Sequence, residues 1–70
     1  MNKKIFCERL TISIKNSGYT QKEIAKLLNI SQGNLTNWKK GDNLPSIDVL
    51  YNLCIILQES ADYLLGLEND

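Results

Sequence analysis

Four positions in one short stretch, Gln32, Gly33, Thr36 and Asn37, carry most of the chemistry this chain offers. The carboxamides of Gln and Asn set a donor beside an acceptor, which pairs with N6 and N7 of adenine, and a Thr methyl can touch the methyl of thymine. For catalysis there is nothing comparable. The chain has no histidine, and its two cysteines, Cys7 and Cys54, lie far apart with no C-x-x-C pair. A zinc site needs more ligands than that, and a hydrolytic dyad lacks its usual base. No enzyme, metal site or cofactor is therefore expected. Both cysteines read as small packing hydrophobes, Cys54 on the inner face of a fourth helix and Cys7 at the flank of the first.

Side chains of this kind need a helix to present them, and the flanking residues provide it. From Thr20 to Gly41 the sequence TQKEIAKLLNISQGNLTNWKKG reads as two short helices joined by a tight turn. Thr20 is the N-cap of the first, and Glu23 completes a capping box. Ile24, Leu27 and Leu28 form its apolar face, with Ala25 leaving room for a close crossing. Asn29 takes the turn, because Asn tolerates positive φ better than most residues. Ser31 caps the next helix, Leu35 and Trp38 form its inner face, and Gly41 stops it. With Leu35 and Trp38 inward, Gly33, Thr36, Asn37 and Lys40 fall on the opposite side, and Gln32 joins them in the first turn.

Three further helices are expected around this pair. Lys3 to Asn16 places Phe6, Leu10 and Ile14 on one face and ends at Ser17-Gly18. Ile5 and Ile12 lie on its other side, toward helix 5, a partner subunit or water. After the loop Asp42 to Pro45, Ser46 caps a helix with Ile47, Leu50, Leu53, Cys54 and Leu57 as its inner stripe. Ser60 caps a last short helix, Ala61 to Leu65, closed by Gly66. Nothing alternates with period two, so no sheet is expected. Seventy residues make one domain, 1–70, all-α and compact.

A net charge of zero argues against a nucleic-acid partner only until the charges are mapped. Residues 1–41 hold all eight basic residues against Glu8 and Glu23, a net of +6, while residues 42–70 hold six acids and no base. Such an axis turns one end toward a polyanion and the other away. Lys22 reads as a solvated helix-face charge. No apolar run approaches the roughly 20 residues that span a bilayer, and the first residues lack the apolar core of a secretory signal. A cytoplasmic protein with no membrane or small-molecule partner is expected.

Gln21, Ala25, Leu35 and Trp38, together with the stretches Arg9-Leu10, Gly18 to Gln21, Trp38 to Gly41, Leu44 to Ser46 and Ser60 to Gly66, agree in register with one pattern. The chain resembles the helix-turn-helix family of phage repressors and Cro proteins, also called the XRE family, over nearly its whole length. Asn29 departs from the family's usual Gly, Ser13 from an aliphatic residue, Glu59 from Val, and Gly33 from the Gln or other reader often found there. The resemblance implies a five-helix, lambda-repressor-like DNA-binding domain whose helix-turn-helix is formed by helices 2 and 3, about residues 20–41. In such domains helix 3 enters the major groove, which makes Gln32, Gly33, Thr36 and Asn37 the expected base readers, mainly of A·T pairs since helix 3 has no Arg. Gln21, Asn34, Lys39, Lys40 and Asn43 are the expected phosphate contacts. The resemblance also implies a homodimer on a two-fold operator of duplex DNA, paired through Tyr63, Leu64 and Leu67, although Leu64 and Leu65 also suit the core. The function implied is a sequence-specific transcriptional regulator, a repressor of phage, prophage or bacterial type. An antitoxin-like or other protein-interaction module that also binds DNA is the alternative.

Overall fold

The computed structural model describes residues 1–68, so Asp70, counted above in the acidic half, lies outside the described residues. Five helices follow one another: α1 (Lys3–Asn16), α2 (Gln21–Leu28), α3 (Gln32–Lys40), α4 (Ile47–Leu57) and α5 (Ala61–Leu65). Among the described residues there is no strand, and no helix is long and apolar enough to cross a membrane.

Caps place the boundaries. Asn2 accepts from the Lys4 N–H at α1, Thr20 and Glu23 form the full capping box at α2, and Ser46 and Ser60 accept from Val49 and Tyr63. Each bond satisfies a donor that the first helical turn leaves without a partner. Ser31 stands at the N-cap of α3 with extended backbone, but its hydroxyl makes no capping bond. At the other ends Asn29, Gly41, Gln58 and Gly66 all turn into the left-handed region. Asn29 at φ 57° thus does what Gly does in the family's usual turn, and Gln58 at φ 56° does the same with a bulkier side chain.

One core joins all five helices: Phe6, Leu10 and Ile14 from α1, Ile24 and Ala25 from α2, Leu35 and Trp38 from α3, Leu53 and Leu57 from α4, and Leu64 from α5. α1 packs against α3 and α5, α2 against α3 and α4, and α4 against α5. Two expected core residues lie outside it. Leu27 is 57% exposed and Ile47 is 85% exposed. With 3.6 residues per turn, each falls about 100° from the centre of its helix's buried arc, so the short spacing that suggested an inner stripe swept too wide. Cys54 is half-buried at the edge of the core, and burial holds its thiol above the usual range. Ile5 packs over the end of α5, where a Cβ on Gly66 would come within 2.9 Å of its Cγ2, while Ile12 is exposed.

Candidate nucleic-acid interface

Leu35 and Trp38 are buried under α1 and α2, and that burial fixes which side of α3 remains open. Gln32 and Gly33 are exposed in its first turn, and Thr36 and Asn37 are half-buried one turn on. Of the other expected contacts, Lys40 and Asn43 are exposed, and Gln21, Asn34 and Lys39 are half-buried. The stripe that could meet a groove is therefore polar, accessible and mounted on a rigid base.

That base includes a bond network the sequence did not reveal. Gln21, the first residue of α2, donates through Nε2 to Thr36 Oγ1 at 2.9 Å and to the Gln32 carbonyl at 3.3 Å. Thr36 Oγ1 also donates to the Gln32 carbonyl at 3.2 Å, and Lys39 Nζ donates to Gln21 Oε1 at 3.2 Å. One carboxamide thus grips α3 at positions 32, 36 and 39, which share a face at i, i+4 and i+7. Two consequences follow for the expected site. The Thr36 hydroxyl is committed inward, leaving its methyl as the group with no bond to make. The Gln21 side chain is likewise committed, so any phosphate contact from this residue falls to its backbone N–H. Glu23 N–H is taken by Thr20 Oγ1 and Ile24 N–H by the Thr20 carbonyl, leaving those of Gln21 and Lys22 at the start of α2.

Electrostatics at that point favour an anion. The α2 N-terminus carries partial positive charge, and the Lys39 ammonium sits beside its first side chain. Two like charges held together are relieved by a phosphate. The Glu23 carboxylate is already engaged in the capping box, where the Thr20 backbone N–H, then its hydroxyl, hold it below the usual range. At the other end of α3, Cys7 Sγ donates to the Trp38 carbonyl at 3.2 Å, so this cysteine caps as well as packs.

Two residues turn out to serve elsewhere. Arg9, one of the eight bases, lies over the Tyr63 ring at 4.6 Å and donates to the carbonyls of Tyr63, at 2.6 Å, and Glu68. It neutralises the carbonyl end of α5 rather than extending the basic surface. Leu64, expected on a dimer surface with Tyr63 and Leu67, has no exposed area because it closes the core from α5. Tyr63 is half-buried beneath Arg9, and Leu67 is exposed.

Residues 14–64 match the family model described as helix-turn-helix. The HTH-type transcriptional regulator ImmR of Bacillus subtilis (strain 168) is 42% identical over 59 residues, covering 84% of this chain and 46% of that protein. The HTH-type transcriptional regulator DicA of Escherichia coli (strain K12) is 35% identical over 63 residues, covering 90% of this chain and 47% of its own length. The uncharacterized HTH-type transcriptional regulator YazB of Bacillus subtilis (strain 168) is 36% identical over 64 residues, covering 91% of this chain and 93% of its own. The chain spans about half the length of ImmR and DicA.

Proposed function

The chain belongs to the XRE-type helix-turn-helix family, and from that premise we propose that it is a sequence-specific transcriptional regulator, a repressor of phage or prophage type, that reads the major groove of duplex DNA with α3. The observation that carries this reading is the bracing of α3. Leu35 and Trp38 hold it from within and Gln21 holds it from the side, with Gln32 and Gly33 exposed and Thr36 and Asn37 half-buried on the side away from the core. Precise side-chain placement is what turns a polar helix face into a base reader.

Gln32 and Asn37 bond the edges of adenines, the Thr36 methyl meets a thymine methyl, and Gly33 lets the helix backbone approach the bases. The N–H groups opening α2, with Lys39, Lys40, Asn34 and Asn43, hold phosphates and set register without reading sequence. The described helices act as one domain in the cytoplasm. Two copies bind half-sites one helical turn apart, and occupancy of a promoter blocks transcription.

Selection of bound sequences from a random duplex pool tests this directly. Half-sites specified mainly by A·T pairs are expected, and Asn37→Ala should relax one of those positions by about 1–3 kcal/mol. Half-sites specified by G·C pairs would remove the assigned readers, and absence of any binding at low salt would leave a protein-interaction module instead.

A further inference from the structure

We propose that Lys39 is a positioning residue for base selection. Acting through Gln21, it turns the Thr36 hydroxyl into the protein, so that the base facing Thr36 is chosen for a 5-methyl group, carried by thymine or 5-methylcytosine alike. The proposal rests on α3 reading duplex DNA, and it gives Lys39 a role that holding a phosphate does not require.

The contacts run from Lys39 to Thr36 in one direction. The Lys39 ammonium donates to Gln21 Oε1 at 3.2 Å, which leaves the Nε2 end of that carboxamide to face α3. Nε2 donates to Thr36 Oγ1 at 2.9 Å and to the Gln32 carbonyl at 3.3 Å. Thr36 Oγ1 in turn donates to the same carbonyl at 3.2 Å. Flipping the carboxamide would oppose donors at Lys39 and acceptors at Gln32, so only one orientation satisfies both ends. The bond from Lys39 is the charge-assisted one and therefore the stronger anchor. Gln21 is half-buried at the head of α2, and without that anchor its long side chain regains rotamer freedom.

Thr36 needs this support. A helical Thr divides between two χ1 rotamers, because its hydroxyl can bond the carbonyls one turn back. The bond received from Gln21 adds a second requirement and leaves the methyl as the part of Thr36 with no bond inside the protein. In the major groove a methyl meets the C5 substituent of a pyrimidine and makes no hydrogen bond to the base edge. Thymine and 5-methylcytosine are then equivalent to it, while uracil and cytosine lack the contact. Electrostatics agree with an anchoring role. An ammonium at the positive end of α2 is disfavoured unless it has an acceptor, and Gln21 Oε1 is that acceptor. The ammonium keeps further protons for a phosphate, so one side chain joins backbone anchoring to base selection.

The test starts from the half-site that selection returns, with each thymine replaced in turn by uracil, which removes only the methyl. One replacement should weaken binding about fourfold, the worth of a buried methyl, and Thr36→Ser should abolish that loss. At the same position a 5-methylcytosine·guanine pair should bind more tightly than cytosine·guanine by the same factor. In Lys39→Met the factor should fall to about twofold as Thr36 divides between rotamers, and Lys39→Arg should restore it. Lys39→Met combined with Thr36→Val should keep the full factor, because Val has no hydroxyl to turn. Without DNA, scalar couplings across the Thr36 χ1 bond should report one rotamer in the wild-type chain and averaging in Lys39→Met. The positioning role is overturned if Thr36 stays fixed in Lys39→Met, or if that variant binds every duplex more weakly with the methyl factor unchanged. A wild-type chain that selects sequence but ignores every methyl overturns methyl selection while DNA reading stands.

Discussion

Ser13 is the residue whose environment least suits its chemistry. It is 4% exposed among aliphatic neighbours of α1, and its Oγ makes no hydrogen bond among the described residues. An unpaired buried hydroxyl forfeits its hydration with nothing in return. Ser13→Ala should therefore raise stability by about 1 kcal/mol, seen as a melting temperature higher by about 4–8 °C in a domain of this size. A drop in denaturation midpoint would show that the hydroxyl has a partner. Gln21 is the opposite case, with both ends of its carboxamide bonded to α3. Its residue type and place at the head of α2 were legible in the sequence, but its partners were not, because they lie 11 to 18 positions away.

Among the helices, α2 depends strongly on its ends, since eight residues are too few to be stable alone. Thr20→Ala should cost about 1 kcal/mol at neutral pH, checked by urea denaturation. The capping box also makes α2 sensitive to acid. The Glu23 carboxylate is held below its ordinary range, first by the Thr20 backbone N–H. A depressed acid stabilises the fold above the ordinary glutamate range, and that contribution is lost as pH falls through the lower folded value. Glu23→Gln keeps a capping partner but cannot titrate, so its stability should fall less between neutral pH and pH of about 3. Equal acid losses in both proteins would assign the effect to other carboxylates.

At the scale of the whole molecule, charge is the property that the fold redistributes. The basic half of the sequence does not all become one basic surface: Arg9 is drawn away to the end of α5, whereas Lys39 is gathered to the start of α2. Lys40 remains exposed at the end of α3. If it holds a phosphate, Lys40→Ala should weaken binding to all duplexes alike and lower the slope of log affinity against log salt by about 1. Fluorescence anisotropy across a salt series checks this, and a loss confined to one sequence would make Lys40 a base reader instead.

Helix number, helix ends and the two-helix unit were already determined by the chain itself, because caps, turn residues and apolar spacing act over a few positions. Thr20 with Glu23, Asn29, Leu35 with Trp38, and Gly41 each have their structural role written in residue type and local distance. What the tertiary structure alone decided is how wide each buried arc is and which polar groups meet. It left Leu27 and Ile47 in solvent, took Leu64 into the core, stranded Ser13, and closed Gln21 upon Thr36 and Lys39. Periodicity gives the direction of a helix face, whereas its width depends on how neighbouring helices cross it, and that geometry exists only once the chain has packed.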